Sequence, residues 1–123
     1  MQKNNVVFLI RAYNEATRII GVIESIKKAW YTEVLVVDDG STDGTKQLLA
    51  RAFDDGIHYV KHIVNRGGGA ALATGFEYIK RHATSLGWKY LVTFDADGQH
   101  NIDDMPKFME AFDNDADLTV VFG

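Results

Sequence analysis

The chain has 123 residues, 46% of them hydrophobic, which suits one soluble globular domain with a substantial core. Thirteen Lys and Arg against seventeen Asp and Glu give a formal charge of -4, so the basic excess of a general nucleic-acid binder is missing and we expect no nucleic-acid partner. Cysteine is absent, which excludes disulfides and thiolate metal sites, and no apolar run approaches the roughly 18 residues of a membrane span, so membrane contact is expected to be at most peripheral.

The first half of the chain alternates strand and helix patterns. A continuous apolar run at 6–10 is typical of a strand buried on both faces, and Asn14 is expected to cap the helix that follows. The apolar residues of that helix recur at helical spacing, namely Ala16, Ile19, Ile20, Ile23 and Ile26. A second buried strand is predicted at 34–37, and a short helix is expected from Thr42 onward.

The second half continues the alternation. Residues 57–64 have a weaker strand pattern, and three glycines at 67–69 precede another helix. The apolar residues of this helix recur at steps of four and three, namely Leu72, Phe76, Ile79, Ala83 and Leu86. The remaining pattern predicts a fourth strand at 90–94, a helix at 105–112 and a fifth strand at 118–122.

This alternation, without repeats or an internal linker, predicts an α/β fold with a single domain over residues 1–123. We expect a Rossmann-like three-layer α/β/α arrangement, in which a mostly parallel sheet is covered by helices on both faces. Ligands of such sheets bind beyond the carboxyl ends of the strands. The unusual polar and glycine residues follow the predicted strands in each case, at 13–15, 38–39, 67–69 and 95–97. Their convergence at one edge of the sheet predicts a functional site there.

Asp95 and Asp97 end the fourth predicted strand. Two neighbouring carboxylates repel each other, so keeping both ionised calls for a cation or solvent between them. Their oxygen atoms suit Mg²⁺ or Mn²⁺, especially where phosphates complete the coordination shell. A solvated Asp-Gly turn explains the pattern equally well. An EF-hand beginning at Asp95 is excluded, because His100 and Pro106 stand where that loop needs glycine and glutamate.

The segment VDDGSTDGT at 37–45 is the second acidic strand end. A carboxylate of Asp38 or Asp39 placed there can accept a hydrogen bond from a base N–H or a ribose hydroxyl. The same segment also has a structural explanation, in which Asp39-Gly40 forms a turn and Ser41 caps the next helix. Both interpretations can hold together.

The segment NRGGGAALATG at 65–75 places bare backbone amides before a helix, where Gly67 and Gly69 can meet a phosphate. It is neither a dinucleotide fingerprint, since Leu72 stands where Gly or Ala is required, nor a P-loop, since no Gly-Lys-Ser/Thr follows. Close packing of helix on sheet explains the glycines equally well. Arg66 is a further candidate for binding an anion.

The histidines carry little functional signal. His58 and His62 could share one face of a strand, but no third zinc ligand accompanies them. His100 is the only one that adjoins the acidic pair, and nothing in the pattern makes it a catalytic base.

Four segments together resemble family 2 glycosyltransferases of the GT-A fold, similar to the dolichyl-phosphate mannosyltransferases. They are RAYNEA at 11–16, VVDDGSTDGT at 36–45, NRGGGAALATG at 65–75 and FDADGQH at 94–100. The resemblance covers nearly the whole chain and identifies it as the N-terminal, nucleotide-binding part of such a catalytic domain. It implies transfer of a sugar, with inversion, from a UDP- or GDP-linked donor. The acceptor is left open among a polysaccharide, a lipid phosphate and another glycan.

The resemblance also implies residue roles in the first two segments. Tyr13 and Glu15 match positions that hold the nucleotide, with Tyr13 able to stack on the base. Asp39, with Asp38 beside it, matches the carboxylate that reads the base.

In the last segment, Asp95 and Asp97 match the D-x-D motif of the family. The second aspartate, Asp97, is implied to bind Mg²⁺ or Mn²⁺, while Asp95 contacts ribose or a metal-bound water and is the second candidate metal ligand. Ala96 is included in the predicted donor site, and Gln99 matches a polar position near the diphosphate.

Two features depart from the family pattern. Arg11 stands where family members usually carry proline. The chain also ends before the part of such domains that supplies a general base near the acceptor, so that base is expected outside residues 1–123 and the chain alone is expected to lack activity. The apolar run at 6–10 is too short for a signal peptide, so the expected location is the cytoplasm, or the inner face of a membrane in a longer protein.

Two other functions compete with this one. TFDADGQ at 93–99 resembles the first motif of haloacid dehalogenase-like phosphatases, in which Asp95 would be a nucleophile beside Mg²⁺. That motif normally has Thr or Val where Gln99 stands, and it follows the first strand rather than the fourth. A third hypothesis is a non-catalytic chain that only binds nucleotide or a partner protein.

Overall fold

The computed structural model describes residues 3–52, 57–96, 102–107 and 110. Within them the chain forms four strands and three α-helices in strict alternation. The strands are β1 (Val6–Ala12), β2 (Glu33–Asp38), β3 (Ile57–Lys61) and β4 (Tyr90–Asp95), and the helices are α1 (Ala16–Lys28), α2 (Thr45–Ala52) and α3 (Gly68–Leu86). Short 3₁₀ turns lie at Lys3–Asn5 and Ile102–Asp104.

The four strands form one parallel sheet in the order β3-β2-β1-β4. Ile10 in β1 lies opposite Val36 in β2 on one side and Phe94 in β4 on the other. Helices α1 and α2 pack on one face of the sheet and α3 on the other, so the predicted three-layer α/β/α class is confirmed. The chain leaves β1 toward β2 on one side and returns to β4 on the other, which opens a crevice at the carboxyl ends of β1 and β4.

The central strand β1 explains why the sheet forms where the apolar runs predict it. Its residues 6–10 are all fully buried, because both faces of the strand are covered by helices. Phe8 faces α1 and lies edge-on to Tyr31 and Phe94, with ring centroids 5.0 and 5.2 Å away. Leu9 lies on the opposite face of the sheet and packs with residues of α3. Burial of each such side chain contributes about 1.5–3 kcal/mol.

The predicted apolar face of α1 is confirmed, whereas that of α3 is partly wrong. Phe76 and Leu86 were expected in the core, yet they are 39% and 37% exposed. The face of α3 that touches the sheet has the small residues Ala71 and Gly75 at its centre. A Cβ atom at position 75 would lie 2.5 Å from Cδ1 of Leu9, so α3 approaches β1 too closely for large side chains.

Some predicted boundaries also move. β3 ends at Lys61 rather than 64, and Ile63 and Val64 lie in an exposed loop. The chain turns away after the backbone N–H of His62 donates to the carbonyl of Asp38, at 2.8 Å. The predicted fifth strand at 118–122 lies outside the described residues. In the part of the chain that the structure describes, the helices are too short or too polar to cross a bilayer.

Candidate functional site

An open pocket of about 370 Å³ lies at the carboxyl edge of the sheet. All four strand ends that the sequence singled out contribute to its wall. Its lining residues are Arg11, Ala12, Tyr13, Glu15, Asp39, Asn65, Gly67, Gly68, Ala71 and Ala96. The structure therefore brings together five of the predicted site residues: Tyr13, Glu15, Asp39, Gly67 and Ala96.

The other predicted residues are placed differently or not described. Gly69 is exposed on α3 and does not line the pocket, since it lies two residues beyond the loop that meets Asp39. Asp95 ends β4, but its side chain, with Asp97 and Gln99, lies outside the described part of the chain. Among the side chains that the structure does describe, no three acidic or histidine groups converge on a point where a metal ion could bind.

Asp38 and Asp39 have different tasks. Consecutive side chains at the end of a strand point to opposite faces of the sheet. Asp38 is buried on the α1 side, where its carboxylate accepts hydrogen bonds from the Ser41 N–H at 2.8 Å and from the Tyr59 hydroxyl. Burial and the neighbouring Asp38 raise the pKa of Tyr59. Asp38 is thus a structural residue, and the expectation that it lines the crevice is wrong.

Asp39 faces α3 and lines the pocket while remaining 4% exposed. Its Oδ1 accepts hydrogen bonds from His62 Nδ1 at 2.7 Å and from the Arg66 N–H at 2.9 Å. Its Oδ2 accepts the Gly67 N–H at 2.8 Å. Burial alone would raise the pKa of this carboxyl, but the backbone and histidine hydrogen bonds outweigh burial and lower the pKa. Asp39 is therefore ionised at neutral pH and acts only as an acceptor.

His62 is the site-linked residue that the sequence interpretation missed. It is 7% exposed, and its ring connects Oδ1 of Asp39 to the hydroxyl of Thr74, which lies 2.8 Å from Nε2. The idea that it shares a zinc-binding face with His58 does not hold, because the His58 ring packs against Tyr78 and Trp88. The sequence feature that could have indicated its role is its position directly after β3, at the same edge of the sheet as the other polar site residues.

The loop after β1 is joined to the loop after β2 by reciprocal hydrogen bonds. The Asn14 N–H donates to Oγ of Ser41, and the Thr42 N–H donates to Oδ1 of Asn14, each at 2.9 Å. Asn14 has a φ of 52°, in the left-handed region that asparagine tolerates. The predicted caps are therefore wrong: Asn14 does not cap α1 and Ser41 does not cap α2, because both side chains are used between the loops.

Asp43 caps both helices instead. Its Oδ2 accepts the N–H of Ala16, the first residue of α1, at 3.0 Å. Its Oδ1 accepts the N–H and the hydroxyl of Thr45, the first residue of α2, at 3.3 and 2.5 Å. Burial would raise the pKa of Asp43, but these hydrogen bonds outweigh burial and lower the pKa. The result is a fixed loop for Tyr13 and Glu15 at the pocket.

Arg11 brings a guanidinium group to the pocket wall. β1 continues through this residue, which lies opposite Val37 and Asp95, so the departure from the usual proline leaves the strand intact. A Cβ atom at position 68 would lie 2.4 Å from Nη1 of Arg11. Gly68 therefore makes room for the arginine at the start of α3. Gly67 before it has a φ of 96°, which favours glycine.

Comparison with known proteins assigns a family to this arrangement. Residues 7–123 match the model of the family described as glycosyl transferase family 2. A UDP-N-acetylglucosamine–dolichyl-phosphate N-acetylglucosaminyltransferase of Methanococcus voltae is 32% identical over 94% of this chain and 50% of its own length. A polyprenol monophosphomannose synthase of Mycolicibacterium smegmatis is 35% identical over 91% of this chain and 42% of its own.

A solved structure is similar as well. It is the glucosyl-3-phosphoglycerate synthase of Mycobacterium tuberculosis in complex with Mn²⁺, UDP and glucosyl-3-phosphoglycerate, with a TM-score of 0.54 and 25% identity over 75% of this chain and 33% of that one. The chain thus spans half or less of the length of these relatives. The family match favours the resemblance to family 2 glycosyltransferases over the resemblance to haloacid dehalogenase-like phosphatases.

Proposed function

The chain belongs to glycosyl transferase family 2, and on this premise we propose that it is the donor-binding part of a glycosyltransferase. The ligand proposed for the pocket is a nucleoside-diphosphate sugar. One observation carries the proposal: an exposed aromatic ring, an ionised acceptor and a glycine loop line the same pocket at the carboxyl edge of the sheet.

Each of these groups suits a part of a nucleotide. Tyr13 is 48% exposed at the pocket, so its ring is available to stack on a base. Asp39 is an acceptor that fits a base N–H. Gly67 lines the pocket just before α3 with no side chain to obstruct it, although its N–H already donates to Asp39. The guanidinium of Arg11 packs against Gly68 and brings positive charge to the pocket wall. Such a wall suits an anion.

We propose that Asp97 is the main ligand of Mg²⁺ or Mn²⁺ and that Asp95 contacts ribose or a metal-bound water. Asp95 ends β4 and Asp97 follows it two positions later in the sequence, and carboxylate oxygens are ligands that both ions prefer. The similar mycobacterial synthase was solved with Mn²⁺ and UDP, which supports the proposal of a divalent ion beside the nucleotide. When bound, the ion would act as a Lewis acid for the charge on the departing diphosphate. Gln99 is proposed to lie near that diphosphate.

For the acceptor we propose a polyprenyl-type lipid phosphate. The support comes from two relatives, whose names specify dolichyl phosphate and a polyprenol product. A phosphate monoester has a second pKa of about 6, so its attacking oxygen is already ionised at neutral pH. This acceptor would lower the demand for a general base, which we expect outside this chain together with the rest of the acceptor site. Inversion at the sugar and a cytoplasmic location belong to the same proposal.

Calorimetric titration of the chain with UDP and GDP, each with and without MnCl₂, tests the function. We expect one of the two to bind in a metal-dependent way. Asp97→Ala should remove the metal dependence, whereas Glu24→Ala, an exposed acid on α1, should leave binding unchanged. If neither nucleotide binds in the presence of Mn²⁺, donor binding by this chain is refuted. If Asp97→Ala binds like the wild type, the metal assignment is wrong.

A turnover assay separates an enzyme from a chain that only binds. The chain is incubated with the preferred nucleotide sugar, Mn²⁺ and a short polyprenyl phosphate, and release of the nucleoside diphosphate is followed. We expect binding without turnover from these 123 residues and turnover from a version extended to the length of the relatives. Binding without turnover in both versions would favour the non-catalytic hypothesis.

A further inference from the structure

The hydrogen bonds around Asp39 leave a defined acceptor capacity. A carboxylate has about four lone-pair sites, two on each oxygen. Both sites on Oδ1 are taken, by His62 Nδ1 and the Arg66 N–H, at 2.7 and 2.9 Å. On Oδ2 the structure records only the Gly67 N–H, at 2.8 Å, among the residues that it describes. One acceptor site on Oδ2 is therefore left for a ligand in the pocket.

The orientation of that remaining site depends on His62. An ionised carboxylate cannot donate, so Nδ1 of His62 must carry a proton when it bonds to Asp39. In the neutral ring, Nε2 then accepts the hydroxyl proton of Thr74, 2.8 Å away on α3. The ring is held at both nitrogens and is 7% exposed, so it has one orientation. The hydrogen-bonded chain Thr74–His62–Asp39 therefore connects helix α3 to the pocket wall.

We propose that His62 and Thr74 are positioning residues for recognition of the donor base, acting through Asp39. They fix the carboxylate so that Oδ2 accepts a ring N–H, the group present at N3 of uracil and N1 of guanine. This inference rests on the proposed function, because it requires a nucleotide in the pocket. It adds that the pocket selects nucleotides whose base carries a ring N–H.

The same geometry disfavours the other bases. Cytosine and adenine have a lone pair at the corresponding ring nitrogen, which would face the ionised Oδ2 and leave two acceptors without a proton between them. Such an unpaired contact is a stronger source of discrimination than a lost apolar contact. A loosely held carboxylate could turn away and relieve the conflict. The orienting residues should therefore affect selectivity as well as affinity.

The test measures the dissociation constants of UDP and CDP by calorimetry in MnCl₂, or of GDP and ADP if guanine is the base that binds. His62→Leu removes the hydrogen bonds to Asp39 and Thr74 and replaces the imidazole by an apolar side chain of similar bulk. We expect about tenfold weaker binding of UDP and a similar loss in its preference over CDP. His62→Asn retains a donor near the Nδ1 position, and UDP binding should stay within about threefold of the wild type. The affinity of Thr74→Val for UDP, and its preference for UDP over CDP, should lie between those of His62→Leu and His62→Asn.

Two controls separate positioning from general stability. His58→Leu changes a histidine of β3 that contacts Tyr78 rather than Asp39, and it should leave the preference for UDP unchanged. Binding of pyrophosphate with Mg²⁺ reports the phosphate part of the pocket and should be the same in all variants. If His62→Leu does not fold, Thr74→Val carries the test, and an unchanged preference in that variant overturns the proposal.

The outcomes distinguish this inference from the proposed function. If the wild type binds neither UDP nor GDP, both are overturned. If the wild type binds and His62→Leu keeps its affinity and preference, only the positioning role fails. Equal loss of UDP and pyrophosphate binding in His62→Leu also overturns it, because that pattern indicates a general disturbance of the pocket.

Discussion

The carboxylate of Asp43 accepts a hydrogen bond from the backbone N–H of Ala16, 3.0 Å away, although 27 positions separate the two residues. Because Asp43 also accepts hydrogen bonds from Thr45, one side chain caps the helices on both sides of β2. Negative charge at a helix N-terminus is favourable for the helix dipole as well. The loop that carries Tyr13 and Glu15 to the pocket is therefore held from the next loop along the sheet.

Removal of this cap should destabilise the fold. We expect Asp43→Ala to lower the free energy of unfolding by about 1–2 kcal/mol, because two helix N-termini lose a hydrogen-bond acceptor. Urea denaturation followed by circular dichroism measures the change. Glu24→Ala, on the exposed face of α1, is the control and should change stability by less than about 0.5 kcal/mol. Equal midpoints for the two variants would contradict the role of Asp43.

The same residue should make stability depend on pH. The pKa values of Asp39 and Asp43 are both lowered in the folded state, so the unfolded state binds their protons more readily. Their contribution is present above the unfolded pKa of about 3.9 and is lost as pH falls through the lower folded values. Thermal melts between pH 7 and pH 3 should show a steeper loss for the wild type than for Asp43→Asn. Parallel curves would show that Asp43 does not contribute.

A structural feature of this chain is predictable from the sequence when the residues that determine it are close together along the chain. The runs at 6–10 and 34–37 predict buried strands because a continuous apolar segment of that length fits little else, and both strands form there. The pocket was predictable too, since parallel strands bring their carboxyl ends to one edge. These features need only local patterns and a general rule of topology.

The failures concern partners that are distant along the chain. Local capping rules choose Asn14 and Ser41 because each lies close before a helix, yet the side chain that caps α1 comes from another loop. The role of His62 depends on Thr74 one element later, and a single polar residue after a strand does not announce that contact. The face of α3 that packs on the sheet was predicted wrongly for a similar reason. Gly75 lies on that face because Leu9 of β1 is directly beneath it, and this contact cannot be read from the sequence of α3 alone.

That contact gives a prediction about two glycines of α3. A Cβ atom at position 75 would lie 2.5 and 2.7 Å from the two Cδ atoms of the fully buried Leu9, so Gly75→Ala should cost about 1–3 kcal/mol by overpacking. A Cβ atom at position 69 would have no heavy atom within 4 Å apart from its chain neighbours and the nearby backbone of its own helix. Gly69→Ala should therefore stabilise the chain by about 0.5–1 kcal/mol, because alanine favours helix. Urea denaturation of both variants measures these opposite signs.

If Gly75→Ala is neutral or stabilising, α3 does not approach β1 as closely as the structure indicates. Gly69→Ala also tests the pocket boundary. Position 69 does not line the pocket, so nucleotide binding by this variant should equal that of the wild type. A loss of binding would return Gly69 to the phosphate-binding role that the sequence predicted for it.

Tyr13 offers a test of base stacking with little risk to the fold, because its side chain is 48% exposed. Stacking of a base on an aromatic ring contributes about 1–3 kcal/mol, so Tyr13→Ala should weaken binding of UDP or GDP by roughly 5- to 150-fold. Tyr13→Phe keeps the ring and should bind within about twofold of the wild type. Trp30→Ala removes an aromatic ring that is 79% exposed and does not line the pocket, and it should have no effect. Calorimetry with the nucleotide and with pyrophosphate separates the base from the phosphates, since only nucleotide binding should respond to loss of the ring. If Tyr13→Ala binds both ligands as the wild type does, the base lies elsewhere in the pocket.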